Sequence, residues 1–186
     1  MSEFDGAEYQ ARFDRLAREG IDVHGEAALV LSFGPRSVLD AGCGSGRVAI
    51  ELDSHGVDVV GVDVDRSMLD EARRRAPTLA WFEADLAELD LGRRFDLVVM
   101  AGNVLLFTPA GTEEAVVAGC ARHVGDAGRL VAGFQLGRGL SLERYDAACE
   151  EVGLELEERW STWDRRPFGD GAGYAVSVHV RPPSGR

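Results

Sequence analysis

The chain has 186 residues, of which 32 are acidic and 20 are basic, so its formal net charge is −12 at pH 7. This length suits a single domain, and a hydrophobic content of 45% excludes a disordered chain. Every basic residue is an arginine. Without lysine, the chain cannot use a Schiff-base lysine, a phosphate-binding lysine of the Walker type or a lysine general base.

The net charge and the spacing of the cysteines exclude several kinds of binding partner. A protein that binds duplex nucleic acid needs a basic surface, and the longest basic run here, Arg73 to Arg75, ends an acidic helix. We therefore expect no nucleic-acid partner. Cys43, Cys120 and Cys149 are far apart and form no CxxC pair, so neither a metal site nor a disulfide is expected. No hydrophobic leader and no apolar run of about 18 residues is present, which predicts a soluble, cytoplasmic protein without a membrane partner.

Helix-like and strand-like patterns alternate along nearly the whole chain. They predict helices over residues 7–19, 24–33, 66–76, 111–124 and 141–152, and one from the glycine-rich loop to Gly56. Strands are predicted over residues 37–40, 57–63, 79–83, 95–101, 129–136, 154–164 and 173–181. This order predicts an α/β fold with a largely parallel sheet, buried on both faces, and a final antiparallel hairpin. Ligands of such sheets bind beyond the carboxyl ends of the strands, here after residues 40, 63, 84, 101 and 136.

The strongest local signal is the segment 38–47, which reads VLDAGCGSGR. Its glycines, Gly42, Gly44 and Gly46, let the backbone turn sharply out of a strand and approach a ligand in front of a helix N-terminus. A dinucleotide-binding G-x-G-x-x-G pattern fails from Gly42, because position 47 is an arginine. From Gly44 the pattern fits loosely, with Ala49 in the last place, so a nicotinamide-dependent oxidoreductase stays open at this point.

Two acidic residues help to separate these possibilities. Asp40 ends the strand before the loop, where a carboxylate suits a cationic ligand such as a sulfonium and disfavours a pyrophosphate. Asp63 ends the next strand, where a carboxylate can accept hydrogen bonds from both hydroxyls of a ribose. Asp65 is an equally good cap for the following helix, which would leave Asp63 available for a ligand.

With these features the chain resembles the class I S-adenosylmethionine-dependent methyltransferases, over about residues 36–136. The resemblance rests on four motifs in order: Leu39–Gly46, Asp63, Glu83–Leu86 and Phe95–Asn103. It implies a Rossmann-like seven-stranded sheet of order 3-2-1-4-5-7-6 with strand 7 antiparallel, and S-adenosylmethionine as the cofactor, with S-adenosylhomocysteine as its product. The resemblance also implies that Asp63 binds the ribose and that Asp85 contacts the adenine amino group.

The resemblance also implies that residues 1–186 form a single domain with three regions. Residues 1–35 would form a helical cap, residues 36–136 the cofactor-binding core, and residues 137–186 a C-terminal helix and hairpin. We hypothesise that the N-terminal helix closes the site with Tyr9 or Arg12 near the methionine carboxylate. The residues expected to bind the cofactor are Tyr9, Arg12, Asp40, Ala41, Gly42, Cys43, Gly44, Gly46, Asp63, Val64, Met68, Ala84, Asp85, Leu86, Ala101 and Gly102.

Methyl transfer from a sulfonium is a displacement on an activated carbon, so alignment matters more than a nucleophile array. No catalytic residue can be assigned from the sequence, and the candidates are Asn103 and His24. Asn103 is the only asparagine in the chain and follows the fourth strand, where it would line the transfer site. Members of this family that methylate exocyclic amines of bases, or glutamine amides, have Pro-Pro-Tyr after this position. Here Val104 follows, so the resemblance disfavours a nucleobase amine as the acceptor. Gln135 and Trp163 are expected to contact the acceptor.

Other residues of these types are expected to be structural. We expect Cys43 to fill space as a small apolar residue, and His55, His123 and His179 to lie at the surface. Asp96 begins a strand instead of ending one, which favours a structural role. The spacing of Trp160 and Trp163 predicts that their indoles face opposite sides of the sheet.

The leading hypothesis is therefore a methyltransferase for a small-molecule acceptor, acting as a monomer or homodimer without a metal. A protein that binds S-adenosylmethionine or its product without transferring a methyl group is the alternative. A methyltransferase for protein or RNA is disfavoured by the acidic charge.

Overall fold

The computed structural model describes residues 6–19 and 24–183, and within the first helix it leaves out the side chains at positions 9, 12–14, 16 and 17. The helices of the described chain are α1 (Gly6–Arg18), α2 (Gly25–Ser32), α3 (Arg47–Ser54), α4 (Arg66–Arg75), α5 (Val104–Phe107), α6 (Glu113–Ala121) and α7 (Leu142–Glu151). The strands are β1 (Ser37–Ala41), β2 (Asp58–Asp63), β3 (Ala80–Glu83), β4 (Phe95–Met100), β5 (Val124–Gln135), β6 (Glu155–Trp160) and β7 (Tyr174–Val180).

The seven strands form one sheet of order β3-β2-β1-β4-β5-β7-β6, which confirms the predicted topology. Strands β1 to β5 pair in parallel, whereas β7 is antiparallel to both of its neighbours, β5 and β6. The strands reverse their order between β1 and β4, which is where ligands bind in open parallel sheets. The glycine-rich loop follows β1 at this point.

Both faces of the central strands are covered, as their nearly continuous apolar sequences predict, whereas the edge strands β3 and β6 are largely exposed. On one face, the core contains Leu39, Val98 and Phe134 and packs against α6 and α7. On the other face, Val38, Val99 and Val131 pack against α2 and α3. Neighbouring residues of a strand therefore belong to different cores, and this alternation decides which side chains can meet at the carboxyl edge.

The elements differ from the predictions mainly in two places. Strand β5 begins at Val124, five positions before the predicted start, because Val124 pairs with Phe95 ahead of an irregularity in the β4–β5 ladder. The short helix α5 was not predicted; four residues are too few for a helical period to show in the sequence. At the opposite edge, the Oδ2 atom of Asp96 accepts hydrogen bonds from the backbone N–H groups of Arg36 and Ser37, in line with the expected structural role.

Two of the three histidines expected at the surface are buried. His123 is 2% exposed because its ring lies between α6 and the segment before β4. Its Nδ1 lies 2.8 Å from the carbonyl oxygen of Gly119, and its Nε2 accepts a hydrogen bond from the N–H of Leu91. His179 is fully buried on β7, where α7 covers its side of the sheet. His55 is exposed as expected and lies at the C-cap of α3.

Candidate active site

The glycine-rich loop leaves β1 in a conformation that only glycine adopts easily. Gly42, Gly44 and Gly46 have φ angles of 76°, 54° and 78°, in the left-handed region. A Cβ atom at position 42 would come within 2.6 Å of a methyl group of Val104, and one at position 46 within 2.5 Å of the indole of Trp81. The loop therefore packs closely against Val104 of α5 at one end and against Trp81 of β3 at the other.

Asp63 is held directly against this loop. Its Oδ2 atom accepts a hydrogen bond of 2.8 Å from the N–H of Gly44, and its Oδ1 atom accepts one of 2.8 Å from the N–H of Asp65. Burial raises the pKa of Asp63 above its usual value, although these hydrogen bonds act in the opposite direction. Asp65 caps α4 as expected, with its Oδ1 accepting from the N–H groups of Ser67 and Met68. The carboxylate of Asp63 is thus oriented by the loop, and it retains lone pairs for further donors.

Asp40 does not line the cleft, which corrects the expectation from the sequence. Its side chain is 1% exposed and points beneath the loop, where Oδ2 accepts a hydrogen bond of 3.0 Å from the N–H of Ala49 in α3. Burial raises the pKa of Asp40 to about 7, although the hydrogen bond from Ala49 and the charge of Arg47 lower it. The group can act on a ligand through its charge, and it supports the start of α3 directly.

Arg47 begins α3 and forms a two-point ion pair with Glu26 of α2. Its guanidinium nitrogens lie 2.9 and 2.6 Å from the two carboxylate oxygens, and both side chains are mostly buried. Planar two-point pairing of this kind fixes the direction of both groups. The pair holds the start of α2 beside the glycine loop.

The other residues expected around the cofactor divide into exposed and buried positions. Val64 is 70% exposed and offers an apolar face beside Asp63. Asp85 is exposed, and its Oδ1 accepts from the N–H of Ala87. Met68 and Leu86 are buried, so their side chains belong to the core.

Cys43 fills space in the loop, as expected. It is 8% exposed, and burial raises its pKa well above the usual value, so the thiol stays protonated and unreactive. A Cβ atom at Gly61 would come within 3.1 Å of the Cys43 sulfur. The strand and the loop therefore approach each other closely at this point.

Asn103 follows Ala101 and Gly102 at the end of β4 and has a left-handed φ of 68°. Asparagine tolerates this conformation better than most residues. Its N–H donates to the carbonyl oxygen of Gly133 (3.1 Å), and its Oδ1 accepts from the N–H of Gln135 (2.8 Å). The side chain therefore joins the carboxyl ends of β4 and β5, and Asn103 and Gln135 lie together; their contact with an acceptor stays a prediction.

His24 is engaged elsewhere. Its Nδ1 atom lies 3.3 Å from a carboxylate oxygen of Glu51 in α3, and its side chain is about half exposed. This contact with α3 does not test His24 as a catalytic base, which stays a prediction.

Trp163 lies on the backbone of Gly133 in β5, next to the end of β4. A Cβ atom at position 133 would be 2.4 Å from its indole ring and 2.7 Å from the hydroxyl oxygen of Tyr174. The indole Nε1 donates to that hydroxyl at 3.2 Å. Trp160 and Trp163 pack against the same core, so the expectation that they face opposite sides is wrong. The reason is that β6 ends at Trp160 and the chain folds back over the sheet.

A polar contact missed by the sequence joins α1 to the loop. Gln10 is 5% exposed, and its Oε1 accepts hydrogen bonds from the hydroxyl of Ser45 (2.8 Å) and from the guanidinium of Arg75 (2.9 Å). Arg75 also donates to the carbonyl oxygen of Ser45. The side chains of Tyr9 and Arg12, expected to reach the cofactor from this helix, lie outside the described residues.

Neither a metal site nor a membrane segment is found in the described ranges. Within residues 6–19 and 24–183, no group of three or more His, Cys, Asp or Glu side chains could hold a metal ion. None of the helices in these ranges is both long and apolar enough to cross a bilayer. A cavity of about 100 Å³ lies at the opposite edge of the sheet, lined by Phe33, Asp96 and Arg129 among others, so it is not part of this site.

Comparison with known proteins identifies the family to which this chain belongs. A family model of a methyltransferase domain matches residues 38–128. The crystal structure of a TehB-like SAM-dependent methyltransferase from Corynebacterium glutamicum is 38% identical, covers 95% of this chain and 97% of its own, and has a TM-score of 0.88. The chain belongs to the S-adenosylmethionine-dependent methyltransferases of class I.

Two curated relatives are similar over part of their length. A dTDP-3-amino-3,4,6-trideoxy-alpha-D-glucopyranose N,N-dimethyltransferase of Streptomyces venezuelae is 33% identical over 131 residues, which are 66% of this chain and 52% of that protein. A trans-aconitate 2-methyltransferase of Methylobacterium nodulans is 33% identical over 111 residues, 59% of this chain and 42% of that protein. The chain thus spans about half the length of these relatives.

The residues at the site fit the cofactor of this family. The loop has no room for a side chain at Gly42 or Gly46, Asp63 is oriented with lone pairs remaining, and Val64 exposes an apolar side chain beside it. A ribose diol needs an acceptor of this kind, and an aromatic base needs an apolar face. The chemistry of the donor set is therefore that of a nucleoside site.

Proposed function

We propose that the chain catalyses methyl transfer from S-adenosylmethionine to a small-molecule acceptor. The observation that carries this proposal is the position of Asp63, whose carboxylate is fixed against the left-handed glycine loop by the N–H of Gly44. In this proposal Asp63 binds the ribose hydroxyls, the loop from Ala41 to Gly46 borders the methionine part, and Val64 and Asp85 border the adenine.

When bound, the cofactor supplies a methyl group on a cationic sulfur that is already activated for displacement. The contribution of the chain is then to hold the two partners in line and to exclude water. Asn103 joins the ends of β4 and β5 and so fixes the backbone next to the transfer position. An unprotonated amine nitrogen or an anionic oxygen can attack the methyl group without prior proton transfer to a side chain.

A small acceptor is favoured by the connections of the described chain. The segments that follow β4 and β5, and the turn of residues 161–173 between β6 and β7, are too short to form a recognition domain. In this proposal, the acceptor contacts of the described chain come from these segments and from α1 and α2. The two curated relatives carry the names of enzymes that act on a nucleotide sugar and on trans-aconitate, which is consistent with a small acceptor.

A cytoplasmic location also belongs to this proposal. Cys43, Cys120 and Cys149 are all free thiols and all buried. Burial raises the pKa of Cys120 and of Cys149 to about 12, so neither is activated for oxidation. Unpaired cysteines are the state that a reducing compartment maintains.

Calorimetric titration of S-adenosylhomocysteine tests the cofactor site. We expect saturable binding, and we expect Asp63→Ala to weaken it by at least about tenfold, because a charged hydrogen-bond acceptor is lost. Asp58→Ala is the matched control, since Asp58 begins the same strand and is exposed. Binding of NADH with no binding of S-adenosylhomocysteine would overturn the proposal. Tight binding with no product from any acceptor would instead support a binding protein without transferase activity.

A further inference from the structure

The side-chain oxygen atoms at the carboxyl end of β5 each accept one hydrogen bond from a neighbouring group of the chain. The Oδ1 of Asn103 accepts the N–H of Gln135 at 2.8 Å, and the Oε1 of Gln135 accepts from the guanidinium of Arg138 at 3.2 Å. The hydroxyl oxygen of Tyr174 accepts the indole N–H of Trp163 at 3.2 Å. These residues adjoin one another, because Gln135 and Tyr174 are paired across the β5–β7 ladder.

The same side chains also carry hydrogen-bond donors. Asn103 and Gln135 each keep an NH₂ group, and Tyr174 keeps its O–H. Within the described residues, no partner is found for these donors. Burial raises the pKa of Tyr174 to about 12, so the phenol stays protonated at neutral pH and can donate.

A positively charged group lies next to these donors. The guanidinium of Arg138 is exposed, and no carboxylate among the described residues lies within ion-pair distance of it. The acid that acts electrostatically on Tyr174 is Glu26, and its carboxylate is already paired at two points with Arg47. The carboxyl end of β5 therefore carries several donors and one positive charge.

We propose that the carboxyl end of β5 is a binding subsite for an anionic oxygen group of the methyl acceptor, a carboxylate or a phosphate, with Arg138 as its charged contact. The NH₂ groups of Asn103 and Gln135 and the O–H of Tyr174 complete the set of donors. Oxygen anions need several donors when they leave water, and the positive charge of Arg138 repels an ammonium group. This inference rests on the proposed function, because it specifies the chemistry of the acceptor.

Calorimetry on the chain loaded with S-adenosylhomocysteine tests the subsite without turnover. The probes are tricarballylate and glucose 6-phosphate, each compared with its neutral counterpart, the trimethyl ester and glucose. Arg138→Gln removes the charge from the subsite. Arg36→Gln is the matched control, because Arg36 has a side chain 93% exposed and lies at the amino edge of the sheet, before β1.

We expect saturable binding of at least one anion and none of its neutral counterpart. Arg138→Gln should weaken that binding by about tenfold to a hundredfold, as for the loss of a charged hydrogen bond, and Arg36→Gln should not. Binding of tricarballylate alone identifies a carboxylate, and binding of glucose 6-phosphate alone identifies a phosphate.

The inference is overturned if neither anion binds, if Arg138→Gln binds both as tightly as the unchanged chain, or if the neutral probes bind equally well. Failure of the proposed function has a different signature, because it appears as a loss of S-adenosylhomocysteine binding. In that case the same anion titrations are read on the free chain, where the comparison of Arg138→Gln with Arg36→Gln still decides the inference.

Discussion

Trp163 donates its indole N–H to the hydroxyl of Tyr174 at 3.2 Å, and together the two rings cover Gly133. The contact between side chain and backbone is so close that position 133 has no space for a methyl group. The turn between β6 and β7 is therefore fixed to the centre of the sheet at a single glycine, beside the proposed acceptor subsite.

Gly133→Ala should displace Trp163, because the new Cβ would lie 2.4 Å from the indole. Overpacking of this kind costs about 1 to 3 kcal/mol of unfolding free energy. We expect this loss in urea unfolding, together with a shift of tryptophan fluorescence. Gly173→Ala is the control, since nothing lies within 4 Å of a Cβ at that position. Equal stability of the two variants would show that the indole moves aside freely.

Gln10→Leu should loosen α1 from the glycine loop. The change removes the oxygen that accepts from Ser45 and Arg75, and it leaves the buried hydroxyl of Ser45 without this acceptor. A lost acceptor of this kind costs about 1 to 3 kcal/mol. Hydrogen exchange of residues 6–18 measures the effect, and we expect faster exchange there than in α4.

Arg15→Ala is the control for this helix, because Arg15 is exposed on the same α1. Unchanged exchange of α1 in Gln10→Leu would mean that apolar packing alone holds the helix.

His179 should make the fold sensitive to acid. Burial lowers its pKa to about 4, although the carboxylate of Asp146, 3.4 Å away, raises it and Arg159 lowers it further. The unfolded chain takes up this proton near pH 6.5 and the folded chain only near pH 4. Stability is therefore complete above about pH 6.5 and falls as the pH drops through this window.

His179→Phe removes this titration. Between pH 7 and pH 5, urea unfolding of the unchanged chain should lose about 1 to 2 kcal/mol that the variant does not lose. His55→Phe serves as the control, because His55 is exposed. The prediction fails if His179→Phe and His55→Phe lose stability in parallel over this range.

Local patterns in the sequence were sufficient to predict the seven strands and to place the glycine-rich loop and Asp63 at strand ends. Parallel strands are buried runs bounded by turn residues, and both signals are local. The glycines from Gly42 to Gly46 and the acid at Asp63 sit at strand ends, so topology alone brings them together. The order of strands came from the resemblance, which supplied what periodicity does not contain.

The direction of individual side chains could not be predicted in the same way. Asp40 points beneath the loop and His179 into the core, because each lies on a face that a helix covers. The contacts of Gln10 join positions 35 and 65 residues apart, and no local pattern marks such pairs. Asn103 was found because its residue type is unique in the chain, although its side-chain oxygen turns out to bind a neighbouring strand.

The buried carboxyl group of Asp40 has a further consequence for the cofactor. With a pKa of about 7, it is only partly ionised near neutral pH, and a cation placed above the loop would favour the ionised form. Binding of the sulfonium form should thus release a fraction of a proton, and binding of the neutral thioether should release less. Calorimetry in buffers of different ionisation enthalpy measures this, and Asp40→Asn should abolish the difference. Conversion of cofactor to product would then return a proton to the protein, so methyl transfer would be coupled to proton uptake beneath the glycine loop.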